Sequence, residues 1–366
     1  MKTAQDAFRT FYEDTFARLS KKGKAGSRML KKEPNEILRP FREDMADLNE
    51  GGKMLRGVLV CLGCRIAGDG DGSGADDLAL ALEIFQTGVL IHDDLIDRAR
   101  LRRGKKTIHT RYAESLKERH IRTVSDGDSL ENTAAAAAVC AGDFLLYQSN
   151  LKIVEAYRGR ENLADILSAY DRIVLDTIRG ELLDVVLPCE SQERDSASLK
   201  ESIFDIYHLK TAQYSVVGPL HLGMLLGGAS PSEMKQLDSF AEDLGVAFQI
   251  KDDILGIYAE EKELGKDVGS DISEFKQTIL YAYVKNHDET ACRKLMKYYG
   301  RAGVTQKDLE AVRKIFTDSG AYDFAAGEMN RLLQRASRKL ARLSFVGQQE
   351  KEILEGFIRY SGERRR

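Results

Sequence analysis

Proline is scarce in this chain of 366 residues, occurring five times, and strand-like alternation bounded by turn signals is scarce too. Few prolines leave long segments free to run as uninterrupted helix, and the missing period-two pattern argues against a β architecture. Cysteine is equally sparse. Five residues, an odd number spread along the chain, do not suggest a disulfide framework. Cys61 and Cys64 form one C-x-x-C pair, but without a second pair or a nearby histidine they read as small apolar helix residues rather than zinc ligands. No apolar signal core opens the N-terminus. The most apolar stretch, 216–229, contains His221 and is too short for a membrane span. Neither sign of charge dominates: 55 basic and 58 acidic side chains leave a net charge of -3, which gives no reason to expect nucleic acid or an anionic membrane as partner. A soluble, reducing, cytoplasmic setting is the simplest expectation.

What is present is helical periodicity. Leu78, Leu82, Phe85, Val89 and Ile96 recur at helical spacing through 78–97, and segments 162–187, 199–228 and 233–257 also read as long helices. The expected class is all-α, since helices apolar on several sides belong inside a large bundle. The chain reads as one domain over 1–366, with a core from 29 to 366 and an N-terminal extension over 1–28. The basic, Gly-rich segment 20–28 is expected to be a mobile loop. Residues 68–77 and 117–131 are expected to be connections. The acidic loop at Asp69, Asp71, Ser73 and Gly74 imitates the start of a calcium loop, but its twelfth position is Leu80 rather than a bidentate glutamate.

The strongest chemical signal is Asp93-Asp94-Leu95-Ile96-Asp97. On a helix, Asp93 and Asp97 stand one turn apart on one face with Asp94 beside them. Carboxylates so close repel unless a cation sits among them, and their oxygens suit Mg2+, which shares its shell with substrate phosphates. A second cluster, Asp252-Asp253, follows the apolar turn of Phe248-Gln249-Ile250. Basic residues complement both. Arg102-Arg103-Gly104 follows the first cluster, Lys53 and Arg56 stand at i, i+3 in Gly51-Gly52-Lys53-Met54-Leu55-Arg56, and Lys210, Lys266 and Lys276 lie near expected helix breaks. Guanidinium forks and ammonium point charges are what diphosphate recognition requires.

These elements, in this order, resemble the trans-isoprenyl diphosphate synthases, or polyprenyl synthetases, from about Gly51 to Thr278. The matching motifs are GGKMLR, HDDLID with RARLRRG and KKTIH, AGDFLL, GELLD, KTAQYSVVGPLHLG, LGVAFQIKDDILG, LGKDVGSDI and FKQT. A weaker echo runs from Tyr360 to Arg364. The KTAQY and DDILG stretches are similar to bacterial geranylgeranyl-type members. The resemblance implies a single all-α bundle of about ten core helices around a deep central cavity, and three Mg2+ per active site. Asp93 and Asp97 would bind metal from one wall and Asp252 from the other, while Asp94 and Asp253 would hold metal waters or lysines. Arg102, Lys210 and Lys266 would grip an allylic diphosphate (dimethylallyl, geranyl or farnesyl). Lys53, Arg56 and Arg103 would grip isopentenyl diphosphate. Gln249 matches the family's glutamine beside the second cluster, and Thr211 with the Lys210 carbonyl would face the allylic cation at a helix break. A homodimer is implied as well.

Several positions depart from the family pattern. Met54 stands where Arg or Lys is frequent, Gln86 where His is frequent, and Glu181 where Gln is usual. Gly256 replaces the third aspartate of the second region, for which Asp267 or Asp271 would compensate, and Lys106 and Phe275 replace Pro and Gly. If the allylic tail runs back along the helix from Asp93, then Val89, Gly88 and Phe85, four, five and eight positions earlier, line or floor its tunnel. Small Gly88 and Val89 would let a fifteen-carbon chain pass. Phe85 would stop growth one isoprene unit later, so geranylgeranyl diphosphate is the expected product. The alternatives are a farnesyl or longer polyprenyl diphosphate synthase, a class I terpene cyclase, and a non-catalytic partner subunit.

Overall fold

A computed structural model describes residues 3–30, 52–68, 70–123, 129–190, 193–259, 269–301 and 303–364. The chain begins with α1 (Ala4–Leu30), α2 (Leu55–Ile66) and α3 (Asp76–Ile96), followed by a two-residue hairpin of β1 (Leu101–Arg102) and β2 (Lys105–Lys106). Next come α4 (Ile108–Glu118), α5 (Leu130–Ala156), α6 (Leu163–Glu190) and α7 (Ser196–Ile206). A π-helix (Tyr207–Val217) leads directly into α8 (Gly218–Leu226) and then α9 (Pro231–Tyr258). The chain closes with α10 (Ser270–Ser273), α11 (Ile279–His287), α12 (Glu289–Leu295), α13 (Gln306–Asp318), α14 (Ala321–Arg342) and α15 (Gln348–Glu363). The all-α expectation holds.

Local chemistry sets the helix starts. Ser230 and Glu233 form a reciprocal capping box at α9 with Pro231 at its first position, and Thr305 with Asp308 does the same at α13; both satisfy N–H groups a helix start leaves unpaired. Around them, α3 packs on α5, α2 on α8, and α9 on the π-helix and α14. The largest fully buried side chains include Phe85, Tyr170, Phe240, Tyr281 and Phe316.

The segment expected as a mobile loop at 20–28 is helix, the C-terminal part of α1. Its glycines lower helix propensity by only about 1 kcal/mol each, and apolar burial earlier in the helix outweighs that. Phe8, Phe11 and Leu19 enter the core, and the Phe8 ring stacks on Phe357 of α15 at 5.3 Å. The extension is therefore packed against the opposite end of the chain.

The expected break near Lys210 is not a break. It is eleven residues of π-helix, continuous with helix on both sides. Two glycines let it lie where it does. A Cβ on Gly180 of α6 would come within 2.6 Å of the Lys210 nitrogen, and one on Gly245 of α9 within 2.5 Å of the Ala212 Cα. Real Cβ atoms do not approach so closely, so the wide helix is seated between two glycine grooves.

Candidate active site

The C-terminal end of α3 brings Asp93, Asp94 and Asp97 together, and the hairpin folds back over them. Arg102 reaches Asp94 Oδ1 through Nε at 2.5 Å and Asp93 Oδ2 through Nη2 at 2.9 Å. Arg103 is the next residue, with φ of 53°, and Gly104 follows at 74°. A two-residue turn with both φ positive has the hand that closes a β-hairpin. This tight tip sends the neighbouring arginines different ways, and the Arg103 guanidinium lies against Gly52.

Two lysines tie the acidic groups together. Lys210 Nζ stands 2.6 Å from Asp184, 2.7 Å from Glu181 and 3.5 Å from Asp93. Lys276 Nζ stands 3.1 Å from Glu274, 3.5 Å from Asp97 and 4.0 Å from Asp271. Burial disfavours both ammonium charges, but the surrounding carboxylates outweigh it and hold both lysines protonated well above their ordinary range. Among the carboxyls, burial raises Glu181 and pushes Glu274 up to about 7. Asp97, Arg102, Glu181, Asp184, Glu274 and Lys276 line one cavity of about 930 Å³.

On the second wall, Asp253 is buried, and that burial pushes its carboxyl up to about 8. It accepts from Gln249 Nε2 at 2.8 Å and from the Tyr207 hydroxyl, which in turn accepts from the Ile279 N–H at 2.9 Å. Thr211 donates to Gln249 Oε1. Two series of hydrogen bonds thus converge on the Asp253 carboxyl, one from Thr211 of the π-helix through Gln249 and one from the start of α11 through Tyr207. Asp252 is more exposed, and its Oδ1 lies 2.7 Å from Arg364 Nη1. Arg364 also donates to the Phe248 carbonyl at 2.9 Å and lies 3.6 Å over that ring.

Most expected site residues therefore converge. Asp93, Asp94, Asp97, Arg102, Glu181, Lys210 and Lys276 form one polar cluster, and Thr211, Gln249 and Asp253 form another. Arg56 donates to Ser215 Oγ at 2.7 Å and stacks 4.1 Å over Tyr214. Tyr214 donates to Gln86, so the replacement for the frequent histidine is engaged and its amide donors remain. Lys53 is exposed, and its carbonyl accepts from Tyr12 of α1 at 2.7 Å. Lys266 and Asp267 lie outside the described residues. At Gly256, a Cβ would overlap Asp271 Oδ2, so the Asp271 carboxylate takes the space that a side chain at 256 would need.

The tunnel expectation needs one correction. Gly88 faces α5, where its Cβ would meet the Gly142 carbonyl at 3.0 Å and Leu145 Cβ at 3.1 Å. It is a close-packing position between two helices, not an open wall. Phe85 is fully buried, edge-on to Tyr170 and Tyr214 with ring centroids at 5.8 and 5.4 Å. Val89 is partly buried against the same core. Glu274, Tyr207 and the Arg364–Asp252 pair were not found from sequence, because each acts through a partner distant in the chain. Among the described residues, no three carboxylate, histidine or cysteine side chains converge into a preformed metal cage.

The sequence model of the polyprenyl synthetase family matches residues 40–316. The geranylgeranyl diphosphate synthase of Sulfolobus acidocaldarius is 32% identical over 63% of this chain and 62% of its own length. The geranylfarnesyl diphosphate synthase of Aeropyrum pernix is 29% identical over 87% of this chain and 92% of its own. Among solved structures, the geranylgeranyl pyrophosphate synthase of Corynebacterium glutamicum superposes with a TM-score of 0.85 at 24% identity, covering 98% of this chain and 99% of that one.

Proposed function

We propose, for a chain that belongs to the polyprenyl synthetase family and is a prenyl diphosphate synthase, that it joins isopentenyl diphosphate to an allylic diphosphate and makes mainly geranylgeranyl diphosphate. The carrying observation is the division of basic residues. Arg102, Lys210 and Lys276 sit among the carboxylates, while Arg56 and Arg103 form a separate corner against α2. Two diphosphates need two such sets. A terpene cyclase would need one, and a non-catalytic subunit would have no use for both acidic walls.

The acidic set fits Mg2+. Six carboxylates, Asp93, Asp97, Glu181, Asp184, Asp271 and Glu274, share two lysines. This excess of anionic oxygen favours hard divalent cations. Such an ion binds through one or two carboxylates and completes its shell with substrate phosphates and water, so it needs no preformed cage. We assign Asp93 and Asp97 on one wall and Asp252 on the other as its protein ligands, with three ions per site. When bound, the metal would stabilise charge on the departing diphosphate.

The chain's own part is positioning and charge. Lys210, Lys276 and Arg102 hold the allylic diphosphate, so the bond between its oxygen and the first allylic carbon breaks toward waiting positive charge. Arg56, Arg103 and Lys53 hold isopentenyl diphosphate with its double bond beside that carbon, converting an encounter into an intramolecular step. The released diphosphate can take the final proton. Thr211, fixed by Gln249, lies along the allylic side. Phe85, Tyr170 and Tyr214 close the apolar end that receives the growing tail.

We further read the chain as one catalytic domain working as a homodimer in the cytoplasm. Val139, Tyr147 and Leu151 of α5 and Leu175, Ile178 and Leu182 of α6 are exposed, and their helical spacing forms apolar stripes of the kind a partner covers. The five free cysteines suit a reducing setting, and among the described residues no helix is long and apolar enough to cross a membrane. Sedimentation velocity showing a monomer at micromolar concentration would count against the dimer. The activity itself is tested with purified protein, Mg2+, labelled isopentenyl diphosphate and each allylic diphosphate, with products sized chromatographically. Allylic substrate consumed without incorporation of label would point to a cyclase. No consumption at all would point to a non-catalytic subunit.

A further inference from the structure

The corner that holds Arg56 and Arg103 contains a carboxylate with no assigned role. Glu83 of α3 lies about three turns before Asp93, near the wall formed by α2. Its Oε1 accepts from the Gly57 N–H at 2.8 Å. Gly57 is the third residue of α2, whose own N-cap, Met54, supplies no side-chain cap. A methionine has no oxygen with which to satisfy the free N–H groups of a first turn. Glu83 thus caps α2 from another helix, and its side chain packs against Gly57, where a Cβ would meet Glu83 Cγ at 3.3 Å.

The Glu83 carboxyl also lies within electrostatic reach of both guanidinium groups. Arg56 and Arg103 each lower the cost of its ionisation, against burial that raises it. In turn, Glu83 offsets part of the burial and the repulsion from Arg102 and Arg56 that depress Arg103. Two arginines in one corner repel, and each is held by something else: Arg56 by Ser215 and Tyr214, Arg103 by the hairpin tip. A carboxylate within reach of both offsets part of that repulsion. It does so without using every donor, because the buried Arg56 Nε–H has no hydrogen-bond partner among the described residues. A buried guanidinium donor left over is one available to an incoming anion.

We infer that Glu83 is a positioning residue for the isopentenyl diphosphate subsite, capping α2 through Gly57, the residue next to Arg56, and supplying the carboxylate that offsets the charge of Arg56 and Arg103. This rests on the proposed assignment of that subsite to Arg56 and Arg103. The role needs two properties, an acceptor for the cap and a charge for the arginines, and substitutions separate them. Glu83→Gln keeps an oxygen for the Gly57 N–H and loses the charge. Glu83→Leu loses both.

The test is steady-state kinetics of the full-length enzyme with both substrates varied, alongside thermal melting and titration of inorganic diphosphate. Glu83→Leu should raise the KM for isopentenyl diphosphate by roughly tenfold, the scale of one lost charge-assisted hydrogen bond, with the KM for the allylic substrate within about twofold. Glu83→Gln should fall between Leu and wild type. Arg56→Ala and Arg103→Ala serve as references. If they raise the KM for isopentenyl diphosphate and Glu83→Leu does not, Glu83 has no positioning role while the subsite stands. If they leave that KM unchanged, the subsite assignment fails and the inference fails with it. Equal weakening of both substrates in Glu83→Leu, accompanied by a lower melting temperature, would mark Glu83 as structural only and overturn the proposal. If Glu83→Leu does not fold, Glu83→Gln carries the decision: an unchanged KM for isopentenyl diphosphate overturns the charge role.

Discussion

Lys210 and Lys276 each serve carboxylates from more than one element, so each stands in for positive charge the acidic walls need. Removing an aspartate therefore removes oxygen that no neighbour replaces. Asp93→Ala and Asp252→Ala should each lower turnover by roughly a thousandfold or more while circular dichroism stays helical; turnover near wild type in both would end the two-wall assignment. The basic residues should divide by substrate. Lys210→Ala should raise the KM for the allylic diphosphate most, and Arg56→Ala that for isopentenyl diphosphate, measured by varying each at saturating levels of the other. Equal effects on both substrates would merge the two subsites. The aspartates were legible in the sequence because their grouping is local: Asp93 and Asp97 share a face by helical spacing alone. Glu274, Tyr207 and the pairing of Arg364 with Asp252 were not. The Lys276 and Asp97 groups that help define the cluster lie 179 residues apart, and no local pattern announces such a meeting. Gly256 was legible as a departure, but only the packed structure shows the Asp271 carboxylate filling the space beside it.

At the scale of elements, long helices were readable because apolar periodicity records which face is buried. The failures came where packing overrides propensity. Glycine in 20–28 read as loop, yet α1 is held by aromatic contacts to α15 far along the chain. The segment 199–228 read as helix, but its widened turn read only as a break near Lys210, because a π-helix has no sequence period of its own; its place is set by Gly180 and Gly245 on the helices that flank it. Gly245→Ala should push the π-helix outward, costing about 1–3 kcal/mol of stability as overpacking does, and should lower turnover by shifting Lys210 and Thr211. Full turnover in a stable Gly245→Ala variant would show that the close approach is not needed. The product ruler also belongs here. Phe85→Ala should open space against Tyr170 and Tyr214 and lengthen the products, with a stability cost of about 3–5 kcal/mol. Gly88→Phe should separate α3 from α5 and destabilise the protein rather than shorten its products. A stable Gly88→Phe variant with shorter products would restore Gly88 to the tunnel wall.

The molecule as a whole gathers buried carboxyls, and burial raises several of them; the largest rises are Asp253, to about 8, and Glu274, to about 7, with Glu181 raised as well. In the unfolded chain these carboxyls lose their protons around pH 4. Between there and pH 8 the folded state binds more protons than the unfolded state, so metal-free stability should fall as pH rises through that window. Lys210 and Lys276 do not alter the sign, because they stay charged in both states across it. His208, raised by its hydrogen bond to Glu242, loses its contribution in the same direction near neutrality. His109, lowered by burial, opposes it there. Above pH 7 the remaining fall belongs mainly to Asp253. Thermal melts of chelator-treated protein should therefore show a falling melting temperature from pH 6 to pH 8.5. Asp253→Asn should remove the portion above pH 7, because the amide cannot ionise and can still accept from Tyr207. A wild-type melting temperature that rises across this range, or an Asp253→Asn profile parallel to wild type, would mean that Asp253 is ionised in the metal-free fold, its hydrogen bonds from Tyr207 and Gln249 outweighing its burial.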